Sequence, residues 1–233
     1  MISFIERFIQ RTRNPSFKFD QHILNRVFLT FLFERLICWI RGLIFKIYSG
    51  KNGRVFIGRG VVIKNPSLLR FGSNLTVGDY CLFQSLRMDG VVLGENVSIG
   101  AWTRIISSCN MSDSVGSIQL GDNVGIGEYS YLNGAGGLTI GNDTIIGQYF
   151  SAHPENHRFD EPALIRKQGV DRRGILIGKN CWIGAKVTIL DGVVLGDGCV
   201  VGAGAVVNKS FGEGLVIGGV PAKIIRRRGC ISG

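Results

Sequence analysis

From Ile177 to Val207 an aliphatic residue recurs at every sixth position: Ile177, Ile183, Ile189, Leu195, Val201 and Val207. Glycine usually follows it, at Gly178, Gly184, Gly196 and Gly202, with Leu190 and Asn208 the departures. Four places after each aliphatic residue stands Cys181, Val187, Val193, Cys199, Ala205 and then Phe211, mostly small or β-branched. A period of six matches neither the 3.6 of an α-helix nor the two of a simple strand. It matches a triangular coil whose flat sides are each about six residues long. The aliphatic residue points inward, the small one shares that interior, and glycine permits the bend between sides. Stacked coils then form parallel sheets around one apolar interior, so the pattern predicts an all-β solenoid.

The same register is found upstream. Ile57 and Ile63 are a first pair of sides, Phe71 and Val77 a second, followed by Leu93, Ile99 and Ile105. Leu120, Ile126 and Leu132 come next, then Ile140, Ile146 and Ala152. After Ala152 the period breaks until Ile177, so the segment 153–176 leaves the coil. It carries His153, His157, Asp160, Glu161, Arg166 and Arg172 among others. A long excursion from a regular scaffold is more often functional than idle.

Before the coils the pattern differs. Residues 26–48 are strongly apolar and aromatic, and Arg26, Thr30, Glu34 and Arg41 share one stripe at helical spacing. The spacing predicts helix in an N-terminal segment, residues 1–50, ahead of a solenoid domain over 51–228 and a short tail at 229–233. Its longest uncharged run, Val27 to Phe33, is too short to span a bilayer. No small-residue cleavage site follows it, so no secretory signal is expected. Two readings stay open: a helix packed on the solenoid or on a neighbouring copy, and a basic amphipathic helix lying on a membrane with Arg35, Arg41 and Lys46 near lipid phosphates.

Composition narrows the classes. The chain has 233 residues, enough to bury a real core. Its 34 glycines against 5 prolines fit repeated β-turns better than disorder. A net charge of +10 invites anionic partners: nucleic acid, a membrane surface or a phosphorylated cofactor. Aromatics are not interleaved with basic residues along the coils and no nucleic-acid motif is present, which ranks nucleic acid last. The 6 cysteines form no CxxC pair. Cys81, Cys181 and Cys199 fall on the small interior position, where a thiol behaves as a small hydrophobe. Buried, reduced thiols point to a reducing compartment, the cytoplasm.

Two of the chain's 3 histidines lie in the excursion. Histidine is the ordinary general base near neutral pH. A zinc site of three histidines from adjacent coils is disfavoured, because outside the excursion only His22 exists and it precedes the solenoid. No metal is expected.

Ile183-Gly184-Ala185-Lys186-Val187-Thr188 and its neighbours resemble the hexapeptide-repeat acyltransferases, over roughly Val55 to Arg228. The resemblance implies a left-handed parallel β-helix; the handedness comes from it alone, since parallel crossovers are otherwise right-handed. It also implies acetyl-CoA as acyl donor, bound between subunits of a homotrimer, and a saccharide acceptor in lipopolysaccharide, capsule or a related glycan, in some cases lipid-linked. Asn156-His157-Arg158-Phe159-Asp160 is similar to the Asn-His-Arg-Met-Asp segment of the xenobiotic acetyltransferase branch, which implies His157 as catalytic base. His153-Pro154 imitates the His-Pro dipeptide of the galactoside and maltose branch and is the second candidate. Asn133 matches an asparagine that relatives place near the acceptor, and it also suits a left-handed corner. Along the cofactor, the resemblance implies Trp182 beside the pantetheine arm and backbone bonds at Ala185 and Ala203, with the Ala185 N–H as oxyanion donor. Asn208 and Lys209 stand where relatives have Thr-Lys, and Lys223 and Arg226 match the segment that meets the nucleotide phosphates. The expected activity is O-acetylation by direct transfer, with no cysteine or serine nucleophile. Rival readings are an acetyltransferase for a small soluble acceptor (an antibiotic, a free sugar or serine) and a non-catalytic scaffold.

Overall fold

The computed structural model describes residues 25–50, 53–108 and 116–229, together with Glu6, Arg7, Gln10, Ser16, Lys18 and Phe19. His22, the turn at Lys51 and Asn52, and residues 230–233 of the tail lie outside the described residues. The chain divides into two compact units, residues 1–37 and 38–233.

In the larger unit each coil contributes one short strand to each of three parallel sheets. Sheet 1 stacks Val55–Ile57, Leu75–Val77, Ser98–Ile99, Gly125–Ile126, Ile145–Ile146, Trp182–Ile183 and Val200–Val201 in register. Leu215–Gly218 continues it, and Lys223–Arg227 closes it antiparallel. Sheet 2 runs from Val62–Lys64 to Val206–Val207, and sheet 3 from Leu69–Phe71 to Val194–Leu195. The six-residue period is the physical cause. Val77, Ile99, Ile126, Ile146, Ile183 and Val201 are one inward column, each 4 % exposed or less. The small interior positions are buried alongside, including Cys81, Cys181 and Cys199. At the corners glycine permits this close stacking: a Cβ at Gly184 would lie 2.6 Å from the Ala203 nitrogen of the next coil.

A helix runs Asn25–Ser49. Its second half belongs to the larger unit, where Phe45 meets Phe71 at 5.7 Å between ring centroids and buried Gly42 lies against the Val55 carbonyl. A Cβ at Gly42 would clash there, so the helix backbone itself approaches the first coil. No helix among the described residues is long and apolar enough to cross a membrane.

Candidate active site

Three corners join the sheets, and they differ in chemistry. At the corner from sheet 3 to sheet 1, Asn74, Asn96, Asn123, Asp143 and Asn180 all hold positive φ, between 52° and 63°. Asparagine and aspartate tolerate that region better than most residues. Their side chains link coil to coil: Asn74 Nδ2 donates to Asn96 Oδ1 at 2.8 Å, Asn96 Nδ2 to Asn123 Oδ1 at 3.0 Å, and Asn123 Nδ2 to Asp143 Oδ1 at 2.8 Å. Neighbouring carboxylates accept from corner amides, as Asp197 Oδ1 does from Lys179 N–H at 2.7 Å. This corner spends most of its side-chain polarity on itself.

The corner from sheet 1 to sheet 2 does not. Its positive-φ positions carry Tyr80, Trp102, Tyr129, Tyr149 and Lys186. The Ala185 N–H donates to no acceptor among the described residues, while its carbonyl accepts from Gly204 N–H at 2.8 Å. Ala185 is half-buried and Ala203 exposed on the next coil. Trp182, on the outer face of sheet 1, is 59 % exposed, and in-register Ile145 is exposed beside it. Lys223 and Arg226 lie on the last strand of the same sheet, both exposed. Sheet 1 and its corner thus hold Trp182, Ala185, Ala203, Lys223 and Arg226 along one side. Asn208 and Lys209 follow the last strand of sheet 2 and are exposed, with Lys209 Nζ 5.7 Å from the centre of the Phe211 ring.

The excursion departs from the corner after sheet 2. The last strand before it is Ser151–His153, and its alternation turns Ser151 and His153 to the same outer face. A 2.6 Å hydrogen bond joins Ser151 Oγ and His153 Nε2, and the imidazole lies 6.0 Å from the Tyr131 ring. Asn133 and His153 each follow a paired residue, Leu132 and Ala152, so they are neighbours on sheet 2. Asn133 is buried, and its Oδ1 accepts from Ala135 N–H at 2.9 Å. The excursion then folds back on itself: Asn156–His157 pairs antiparallel with Val170–Asp171. Arg158 Nε bonds Asp171 Oδ1 at 2.7 Å, and Arg172 Nε bonds Glu155 Oε2 at 3.1 Å. Asp191 Oδ1 accepts from the Arg173 and Gly174 amides, both at 2.9 Å, where the chain re-enters the coil. His157 therefore stands exposed on a braced hairpin, and its imidazole has no hydrogen bond or ion pair among the described residues. The structure brings Asn133 and His153 together on sheet 2, and His157 lies on the hairpin that follows.

Sequence reasoning missed two features. Ser151 was legible only as the i−2 neighbour of His153 on a strand. The aromatic corner was legible as a repeat: Val77-Gly78-Asp79-Tyr80, Ile99-Gly100-Ala101-Trp102, Ile126-Gly127-Glu128-Tyr129 and Ile146-Gly147-Gln148-Tyr149 place a ring three residues after each inward aliphatic.

Residues 174–209 match the family described as bacterial transferase hexapeptide (six repeats). The chain is 34 % identical over 151 residues to WbbJ of Escherichia coli (strain K12), described as a lipopolysaccharide biosynthesis O-acetyl transferase; the match spans 61 % of this chain and 74 % of that one. The chain belongs to the hexapeptide-repeat transferases. This transferase is also 32 % identical over 145 residues to WcaF of the same strain, described as a colanic acid biosynthesis acetyltransferase, across 61 % of this chain and 72 % of the other. Among solved structures it resembles AntD, an N-acyltransferase from Bacillus cereus in complex with dTDP and 3-hydroxybutyryl-CoA, with a TM-score of 0.57 at 22 % identity over 81 % of this chain and 88 % of that one. The shared fold is the left-handed parallel β-helix. The protein is an enzyme, an acyltransferase.

Proposed function

We propose that this transferase moves the acetyl group of acetyl-CoA onto a hydroxyl of a sugar in a surface glycan, with His157 as general base. The observation that carries the assignment of the base is the contrast between the two loop imidazoles. A base needs a free lone pair within reach of the acceptor. Nε2 of His153 is already engaged by Ser151, whereas both nitrogens of His157 are open on a hairpin braced by two ion pairs. In the reaction His157 takes the proton of the acceptor hydroxyl, whose oxygen attacks the thioester carbonyl. The Ala185 N–H stabilises the tetrahedral oxyanion, the C–S bond breaks, and CoA leaves as the thiolate. His153 and Asn133 position the acceptor. Trp182, Ala203, Lys223 and Arg226 bind the cofactor, the two basic residues at its phosphates, and Asn208 and Lys209 flank it from the last coil. The similarity to WbbJ and WcaF supports a surface polysaccharide as the acceptor class.

An exposed base and an exposed Trp182 make an open, wet site in a single chain. A homotrimer in which a neighbouring copy covers them would complete it. Light scattering that returned the mass of one chain at micromolar concentration would end that part of the proposal. The helix adds peripheral membrane contact: Phe31, Phe33, Leu36, Trp39, Ile40 and Ile47 are all exposed on it, with Arg26 and Lys46 alongside. Phe33→Glu with Leu36→Glu should abolish co-sedimentation with anionic vesicles; unchanged sedimentation removes the membrane role.

The deciding experiment incubates the protein with acetyl-CoA and fractionated cell-envelope glycans and locates the new group by mass spectrometry. A hydroxylamine-labile ester on a sugar is expected. A stable amide, or transfer only to small soluble acceptors, would overturn the reading.

A further inference from the structure

Four aromatic rings are stacked along the corner from sheet 1 to sheet 2. Tyr80 and Trp102 lie 4.3 Å apart between centroids, Trp102 and Tyr129 6.3 Å, and Tyr129 and Tyr149 5.1 Å, with interplanar angles of 21°, 1° and 8°. The Arg59 guanidinium caps the Tyr80 end at 5.2 Å from the ring centre, and Lys186 Nζ caps the Tyr149 end at 5.9 Å. All four rings stay between 36 % and 49 % exposed.

Folding alone does not account for this choice. Each ring sits at positive φ, a region where aromatic residues are not favoured. The asparagine corner meets the same backbone demand with short polar side chains that bond one another and expose no apolar surface. A contiguous exposed aromatic strip instead marks a surface that something else covers. Its position says what. The strip ends at Tyr149, on the coil that carries Ser151 and His153 and from which the His157 hairpin departs. Beyond it the same corner turns to Lys186 and Gly204, beside the open amides of Ala185 and Ala203.

We infer that the Tyr80–Trp102–Tyr129–Tyr149 ladder is the rail along which an extended saccharide acceptor lies, running from the reacting sugar at the histidine coil toward the first coils. This rests on the glycan-acetyltransferase reading above. The rings share their faces, so they offer water their edges, three phenol hydroxyls and one indole N–H. The result is an apolar slab with a polar rim, the chemistry aromatic side chains bring to half-wet interfaces. A sugar chain has the complementary pattern, with C–H surfaces flanked by hydroxyls. Successive rungs repeat at the strand spacing of about 4.8 Å, comparable to one pyranose ring, so a chain laid along the ladder can meet one rung per sugar. Ligands of one or two sugars would use only Tyr149 and Tyr129.

The test uses the full-length protein and the envelope-glycan fraction that the wild type acetylates, cut to lengths of one to six sugars. Trp102→Asn with Tyr129→Asn keeps residues suited to positive φ at both corners. In the wild type KM should fall as the acceptor lengthens. The double variant should lose that fall, with KM for the six-sugar acceptor raised about 4- to 100-fold, two rings at about 2- to 10-fold each, and with KM for acetyl-CoA held. An unchanged length dependence in the variant overturns the rail. So does a loss of assembled mass in light scattering, which would make the ladder a contact between copies. A wild type that acetylates no glycan fraction fails the underlying reading instead, before the variant is compared.

Discussion

The asparagine corner and the aromatic corner occupy equivalent places on the same coils and share the same backbone conformation, yet one is closed and the other open. Along the first, side-chain amides run coil to coil and carboxylates accept from the corner N–H groups. Along the second, the Ala185 amide has no acceptor among the described residues, the ring edges meet water, and the adjoining sheets present Trp182 and His153. A repeat fold imposes a shape on every coil but not a chemistry. The side that leaves its groups unsatisfied is the side where ligands can be bound, because there they replace water rather than a protein partner.

The comparison is broken most directly at His157. His157→Ala should lower kcat by about 10²- to 10⁴-fold, the usual worth of a positioned general base, with an unchanged melting temperature because the side chain is exposed and unbonded. His153→Ala should cost less and act mainly on acceptor KM, through the loss of its bond to Ser151. Steady-state kinetics on both variants decides; a dead His153→Ala beside an active His157→Ala would exchange their roles.

On the closed side the expected effect falls on stability instead. Asn123→Ala puts a residue ill-suited to φ 58° at the corner and removes bonds to Asn96 and Asp143. It should cost about 1–2 kcal/mol in urea unfolding and leave turnover as it was. A drop in kcat without a drop in stability would mean that this corner is not merely structural.

The smallest effect concerns the interior that both sides share. Burial pushes the Cys81 thiol up from 9.0 to about 11. The buried thiol favours its neutral form, so the folded protein holds this proton to higher pH than the unfolded chain does, and the difference works against folding once the unfolded thiol ionises. Its contribution is intact below about pH 9 and is lost as pH rises through about 11. Chemical unfolding across that range should show Cys81→Ala declining less steeply than the wild type.

The solenoid was legible because its cause is local and repeated. Every sixth residue from Ile177 to Val207 must face the same interior, and the pattern states that demand coil after coil. The excursion was legible for the complementary reason, a gap in that pattern with His153 and His157 inside it. The aromatic ladder was equally present in the sequence, as a ring three places after Val77, Ile99, Ile126 and Ile146, but only stacking made those separate residues one surface.

What the sequence determined by itself was therefore the coil, its interior and the residue types available for chemistry, since a six-residue period has few ways to bury its aliphatic column. Tertiary structure alone decided which of those residues meet. It set Ser151 on His153 through strand alternation, placed Asn133 beside them from one coil earlier, and put His157 on a hairpin fixed by Arg158–Asp171 and Arg172–Glu155. The two ion pairs of the hairpin join residues whose separation in the chain follows no period. They depend on how far the excursion travels before it returns, and spacing along the chain does not encode that distance.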